Sequence, residues 1–167
     1  MADDLTVAKC VDLAIKSEDL GAELYARLAR KFGQDRELSE LFEGLGRDEI
    51  QHRELFRSMR DRAVSSSQGR ILSNDQKNYL RAMSFADLVS STESLEKDVE
   101  AIKSRDDALE RVLRMEKATL AYYQAMRDVL GKDETVESLI TVEKSHVVKV
   151  MQLMITGAKY RGLADSF

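Results

Sequence analysis

Apolar residues recur along most of the chain at spacings of three and four, the pattern of amphipathic α-helices. Ser73-Asn74-Asp75-Gln76 resembles a capping box and predicts a shorter helix over about 74–90. Residues 91–103 are polar and mixed, and their pattern assigns them to no element, although it is compatible with a helix. The clear apolar stripes predict four long helices, over about 4–32, 36–62, 105–130 and 134–156.

The long helices are separated by turn signals that occur twice. Gly33 is a predicted helix stop and Asp35 a predicted N-cap, and Gly131 and Asp133 repeat this arrangement. Such tight turns make antiparallel neighbours, while the connection over about 65–103 is long enough to return along the bundle. We therefore predict one all-α domain over 1–167, a four-helix bundle of two antiparallel hairpins joined by a long crossover that contains a short helix.

Composition agrees with long helices and excludes some partners. The chain has no Pro and no Trp, and 43% of its residues are hydrophobic and 34% charged. The formal net charge is −4, which speaks against a nucleic-acid partner.

The single cysteine, Cys10, excludes an internal disulfide and a cysteine-based metal site, and it is expected to be a small core residue. One thiol suits a reducing compartment. The acidic start leads into no apolar signal core, and no run reaches the roughly 18–20 apolar residues of a membrane span. We expect a cytoplasmic protein without a membrane partner.

The otherwise apolar stripes are interrupted by side chains that bind metals. Both histidines of the chain lie three residues after a glutamate, so each Glu-x-x-His pair projects from one helix face. Two further glutamates occupy inward positions of the first and third long helices. The candidate metal ligands are Glu18, Glu49, His52, Glu116, Glu143 and His146.

Each of the two lone glutamates is followed, about two helical turns later, by a tyrosine on the same face. Glu18 pairs in this way with Tyr25, and Glu116 with Tyr123, so the two hairpins look like repeats of one unit. Tyr25 and Tyr123 are either plain core aromatics or residues that support the ligands or relay a radical. The competing carboxylates, Glu23 and Glu110, point away from these faces and are predicted to lie at the surface.

Four carboxylates in a core are very costly without a counter-charge, and no Lys or Arg falls on the same inward positions. Two divalent cations would supply that charge. Ligation by carboxylate and imidazole without thiolate suits Fe, Mn or Zn. One Glu from each of two helices and a Glu-x-x-His from each of the other two is the ligand set of dinuclear sites in four-helix bundles.

With these motifs the chain resembles the ferritin-like di-iron carboxylate superfamily, and within it the rubrerythrin-like branch. The resemblance covers the four long helices and implies two iron ions, with Mn or Zn as possible substitutes. It implies that Glu49 and Glu143 bridge the ions, that Glu18 and Glu116 are terminal ligands, and that His52 and His146 each bind one ion. It also implies reaction of ferrous ions with O2 or H2O2.

Three departures from related proteins modify this expectation. Rubrerythrins usually carry a rubredoxin module with paired Cys-x-x-Cys motifs, whereas this chain has only Cys10, so we expect no rubredoxin-type iron and an external electron donor. Leu113 stands where rubrerythrins carry a further glutamate that exchanges with a histidine during turnover, which argues against such ligand switching. Ile50 stands where bacterioferritins carry their haem-ligating Met, so no haem is expected.

The sequence thus predicts a di-iron oxidoreductase of peroxidase or ferroxidase type, linked to oxidative stress and forming a homo-oligomer, a dimer or larger. Three alternatives stay open. The chain could be an iron-storage subunit of an oligomeric cage, a structural bundle that holds Zn or no metal, or an oxygenase for an organic substrate.

Overall fold

The computed structural model describes residues 6–65, 72–83 and 92–164, and every regular element in these ranges is a helix. The prediction of an all-α fold is confirmed. The helices are α1 Val7–Lys31, α2 Arg36–Ser65, α3 Asn74–Ala82, α4 Thr92–Ala101, α5 Arg105–Leu130 and α6 Glu134–Ala164.

The four long helices form two hairpins, α1 with α2 and α5 with α6, which pack together through α2–α6 and α1–α5 contacts. At one end, Arg105 at the start of α5 forms ion pairs with Asp35, in the α1–α2 turn, and with Glu37. At the other end, Arg62 of α2 donates a hydrogen bond of 3.1 Å to Thr135, at the start of α6. The two hairpin turns therefore lie at opposite ends of the bundle.

The predicted caps begin the second helix of each hairpin. Asp35 Oδ1 accepts a hydrogen bond from the Leu38 N–H at 3.1 Å, and Asp133 Oδ1 accepts one from the Thr135 N–H at 2.9 Å. These carboxylates satisfy backbone donors that the first helical turn leaves without a partner. Gly131 ends α5 with a φ of 91°, a left-handed conformation that favours glycine.

The crossover between the hairpins contains two helices. The capping box of Ser73 and Gln76 begins α3, as predicted, but α3 ends at Ala82 instead of near residue 90; residues 84–91 lie outside the described ranges. In the segment that the sequence left open, α4 forms. Because α3 contacts α5 and α4 contacts α1, the crossover returns along the bundle.

The last helix is longer than predicted. The sequence predicts an end near Thr156, at Gly157, but α6 continues to Ala164. A glycine inside a helix costs only about 1 kcal/mol relative to alanine, so it does not by itself stop a helix. At the other terminus, α1 begins at Val7 with Thr6 as its N-cap; residues 1–5 are not among those described.

The buried apolar residues form two clusters, one toward each end of the bundle. The cluster nearer the α1–α2 turn includes Leu24, Leu28, Phe42, Leu95, Leu109 and Val112. The cluster nearer the α5–α6 turn includes Cys10, Phe56, Leu80, Tyr123, Met126 and Leu139. None of the described helices has the length and apolar character that crossing a membrane requires.

Candidate metal centre

A belt of ligand-type side chains lies between the two apolar clusters. All six predicted ligands are buried, with exposed fractions of 4% or less. Within the described ranges they are the only buried charged or polar side chains, and no Lys or Arg is buried beside them. The belt comprises Glu18 of α1, Glu49 and His52 of α2, Glu116 of α5, and Glu143 and His146 of α6.

The six side chains form two overlapping groups, in each of which the ligand atoms lie within 4.8 Å of one another. Glu49 and Glu143 belong to both groups. One group is completed by Glu18 and His52, and the other by Glu116 and His146. The two imidazole rings face each other, with centroids 5.6 Å apart and an interplanar angle of 24°. The arrangement offers two adjacent metal positions that share two carboxylates.

Both histidines direct Nδ1 toward the carboxylates. His52 Nδ1 lies 3.0 Å from Glu143 Oε1 and 3.3 Å from Glu49 Oε2. His146 Nδ1 lies 3.2 Å from Glu116 Oε2. An i, i+3 spacing on a helix places each imidazole one turn from its own glutamate, which explains why both pairs reach the same interior.

Asp48 belongs to the site although the sequence analysis did not identify it. Its Oδ2 lies 3.0 Å from Nε2 of His146, the ring nitrogen that faces away from the other ligands. A carboxylate in this place fixes the ring orientation and leaves Nδ1 free for a metal. The only local signal is an acidic residue directly before Glu49, and on a helix rich in exposed acids that signal has little weight.

The two tyrosines predicted near the ligands differ in their contacts. Tyr25 donates a hydrogen bond from its hydroxyl to Glu116 Oε1, on the other hairpin. Tyr123 is fully buried against Phe56, with ring centroids 5.0 Å apart, and within the described ranges its hydroxyl makes no hydrogen bond. Of the two, only Tyr25 touches a predicted ligand through its hydroxyl.

Two glycines let α1 and α2 approach closely beside the site. A Cβ at Gly21 would lie 3.4 Å from Glu49 Cγ, and a Cβ at Gly46 would lie 3.3 Å from Tyr25 Cβ. Larger residues would push the helices apart or displace these side chains. The small residues therefore help to place Glu49 and Tyr25.

Comparison with known proteins agrees with this geometry. The rubrerythrin family model matches residues 9–154, which is most of the chain. The chain belongs to the rubrerythrin family. Neither the curated proteins nor the solved structures include one that matches the chain. For a rubrerythrin-family chain the bundle is ferritin-like, and the buried cluster of carboxylates and histidines indicates a metal site of di-iron type.

The donor atoms of this rubrerythrin-family chain fit a pair of divalent cations. Five carboxylate oxygens, from Glu18, Glu49 and Glu143, are buried and make no hydrogen bond with any residue that the structure describes. Nδ1 of His52, although 3.0 Å from Glu143 Oε1, likewise makes no well-aligned hydrogen bond with the described residues. Buried oxygens without partners are rare in native proteins and costly, and metal ions are the partners that a cluster of this composition accepts.

The pKa values show how the same ligands behave toward protons. Burial, followed by the nearby charge of Glu49, raises the pKa of Glu18 well above its usual value, and burial raises the pKa of Glu116 to about 7. Burial disfavours charged imidazoles, but the surrounding carboxylates outweigh it. They raise the pKa of His52 to about 12 and of His146 to about 10. Protons and metal ions therefore compete for one set of atoms.

Other residues singled out in the sequence lie away from the ligands. Glu23 pairs with Arg27 at the surface, and Glu110 is exposed, so neither joins the belt. Leu113 packs against the apolar cluster nearer the α1–α2 turn. Ile50 is 46% exposed. The absence of haem stays a prediction, as does the absence of ligand switching.

Proposed function

We propose that this rubrerythrin-family protein holds two iron ions in the belt and is an oxidoreductase that couples oxidation of Fe(II) to reduction of O2 or H2O2. The observation that carries the proposal is the sharing of Glu49 and Glu143 between two four-residue groups. Two separate mononuclear sites would not need shared carboxylates. A dinuclear site does, because the bridging ligands offset the repulsion between adjacent cations.

Each residue of the belt has a role in this proposal. Glu49 and Glu143 would bridge the ions, while Glu18 with His52 and Glu116 with His146 would complete one position each. A bound ferrous pair would supply two electrons, which together with two protons are enough to reduce H2O2 to two water molecules or O2 to H2O2. The protein's own contribution is to place the ligands, to exclude bulk water with the two apolar clusters, and to hold Glu116 through the Tyr25 hydroxyl.

Several further properties belong to the proposal. Since the chain has a single cysteine, electrons that regenerate Fe(II) come from an external donor. A reducing, cytoplasmic location suits that buried thiol. A homo-oligomer, a dimer or larger, suits the exposed apolar side chains on one side of α6: Val148 (51%), Met151 (41%) and Ile155 (53%).

The test is an anaerobic Fe(II) titration of metal-free protein, followed by addition of one equivalent of H2O2 or of O2 per iron pair. We expect iron binding to saturate at two irons per chain and the bound iron to convert to Fe(III). Near-ultraviolet absorption and Mössbauer spectroscopy monitor this oxidation. The faster oxidant identifies the substrate. Binding of no iron, or binding that leaves the ferrous ions unreactive toward both oxidants, would contradict the proposal.

Two controls sharpen this experiment. Glu18→Ala should lower the stoichiometry, whereas Glu23→Ala, on the same helix but at the surface, should leave it at the wild-type value. Sizing by light scattering distinguishes the storage alternative, because a cage would form a very large particle and take up iron far beyond a pair per chain. That result would show that the protein stores iron and would contradict the proposed catalytic turnover.

A further inference from the structure

The two metal positions receive different support from the residues around them. We call them the Glu116 position (Glu116 and His146 with the shared glutamates) and the Glu18 position (Glu18 and His52 with the shared glutamates). Each of the two hairpins contributes the same units, a Glu followed by Tyr and a Glu-x-x-His. A symmetric arrangement would therefore give both positions the same neighbours.

At the Glu116 position, both terminal ligands contact polar side chains that are not themselves ligands. Tyr25 donates to Glu116 Oε1, and Asp48 Oδ2 lies 3.0 Å from Nε2 of His146. Both supporting residues come from the α1–α2 hairpin and reach across to the α5–α6 hairpin. Glu116 Oε2 and His146 Nδ1, at 3.2 Å, complete a connected set of polar contacts.

At the Glu18 position the corresponding contacts are missing. Tyr123 is the counterpart of Tyr25, but among the described residues its hydroxyl makes no hydrogen bond, and neither does either oxygen of Glu18, whose Oε2 lies 3.7 Å from His52 Nδ1. Val142 is the counterpart of Asp48, since each directly precedes the shared glutamate of its helix. In the described part of the chain, the contacts of His52 with carboxylates all run through Nδ1.

We propose that Tyr25 and Asp48 make the two positions unequal, so that the Glu116 position keeps its ion while the Glu18 position exchanges its ion readily. The inference rests on the proposed dinuclear site. Ligands held by hydrogen bonds lose less freedom when a metal binds, and removal of such supports typically lowers metal affinity by about 10- to 100-fold. Among the described residues Glu18 makes no hydrogen bond, and its ion pair with His52 Nδ1 is long, at 3.7 Å, so Glu18 is the carboxylate that can move and open a coordination position. Tyr25 and Asp48 are positioning residues, because they act through Glu116 and His146.

The test is an anaerobic titration of metal-free protein with Co2+, in which d–d absorption and calorimetry monitor binding. This readout needs no turnover. Wild-type protein should bind two ions in separate steps, with affinities that differ by about tenfold or more. Addition of a chelator should remove one ion quickly and the other slowly. Two equal and equally labile ions would overturn the inference while leaving the dinuclear site intact. Binding of no Co2+, or of a single ion, would overturn both.

Paired variants assign the steps to the positions. Asp48→Asn should weaken the tighter step by about 10- to 100-fold and leave the weaker step nearly unchanged. Val142→Asp, at a half-buried position, introduces a carboxylate at the sequence equivalent of Asp48, and if the hairpins are as symmetric as their motifs it should contact His52 and tighten the weaker step by about tenfold. An Asp48→Asn variant that affects only the weaker step would contradict the assignment.

The tyrosines provide a matched pair. Tyr25→Phe removes the hydroxyl that holds Glu116 and should weaken the tighter step, whereas Tyr123→Phe removes a hydroxyl without a partner and should leave that step as in wild type. Equal effects of the two substitutions would overturn the role of Tyr25. Circular dichroism of each metal-free variant confirms that the helices have formed before affinities are compared.

Discussion

In the proposed dinuclear site, one side chain, Glu143, would serve both metal positions at a cost to the metal-free fold. It belongs to both ligand groups, its exposed fraction is 0%, and neither of its oxygens makes a hydrogen bond. In the metal-free belt the four buried glutamates outnumber the two histidines, so the charge of Glu143 opposes folding there even with His52 Nδ1 at 3.0 Å, whereas between two cations, as proposed, the same carboxylate would stabilise the holo protein. Its contribution should therefore change sign when metal binds.

Glu143→Gln keeps the size of the side chain and removes the charge. We expect loss of both metals, measured by elemental analysis, together with a more stable metal-free protein. Each kcal/mol relieved should raise the Tm by about 2–4 °C in a chain of this length. Glu110→Gln, an exposed residue of α5, is the control that should change neither quantity. Retention of two ions by the Glu143 variant would contradict its bridging role.

Cys10 illustrates a residue whose surroundings suppress its chemistry. It is fully buried in the apolar cluster nearer the α5–α6 turn, and burial raises the pKa of its thiol to about 11. Since the thiolate is the reactive form, native protein at pH 8 should react very slowly with a thiol reagent. Denatured protein should react quickly and consume one equivalent of the thiol reagent per chain. Fast labelling of the native protein would contradict the burial.

At the scale of helices, the turns depend on few residues. Gly131 has a φ of 91° between α5 and α6, and a Cβ there would meet nothing within 4 Å. The constraint on this position is therefore conformational and not steric. An L-residue in the left-handed region costs roughly 1–2 kcal/mol.

Gly131→Ala should accordingly lower the free energy of unfolding by about 1–2 kcal/mol, measured by urea denaturation. Gly44→Ala is the matched control, because Gly44 lies within α2 and an added Cβ would only approach Arg47 Nη2 at 3.9 Å. Alanine should stabilise that helix by up to about 1 kcal/mol. The expectation fails if both substitutions change the free energy of unfolding in the same direction.

For the whole molecule, the acidic belt predicts a pH dependence specific to the metal-free form. Folding raises the pKa of Glu116 from 4.5 to about 7, of His146 from 6.5 to about 10, and of His52 from 6.5 to about 12. A group with a raised pKa contributes stability below its unfolded value and loses that contribution as pH rises through its folded value. All three shifts therefore make the metal-free protein less stable from pH 5 toward pH 9.

Thermal unfolding in the presence of a chelator should thus show a Tm that falls from pH 5 to pH 9. Metal-loaded protein should be more stable than metal-free protein at neutral pH, and the difference should grow with pH because protons compete less well for the ligands. A metal-free Tm that rises over this range, or a Tm equal with and without metal, would contradict the buried acidic belt.

Much of this molecule follows from the amino-acid sequence. Spacings of three and four residues identify the inward faces of the four long helices, and one helical turn between Glu49 and His52 already places both side chains together. Local signals at Asp35, Asp133 and Ser73 set the caps, because a cap depends only on neighbours within one turn. The six belt residues could therefore be named from the sequence.

Tertiary structure alone decided the contacts between hairpins. Tyr25 reaches Glu116 and Asp48 reaches His146 across helices that are remote in sequence, so these pairings depend on the relative height and rotation of whole helices. The helix α4 also depends on packing, because its short polar sequence forms a helix with Leu95 and Val99 buried against the rest of the core. Periodicity describes which way a residue faces along its own helix, and only packing determines what it meets.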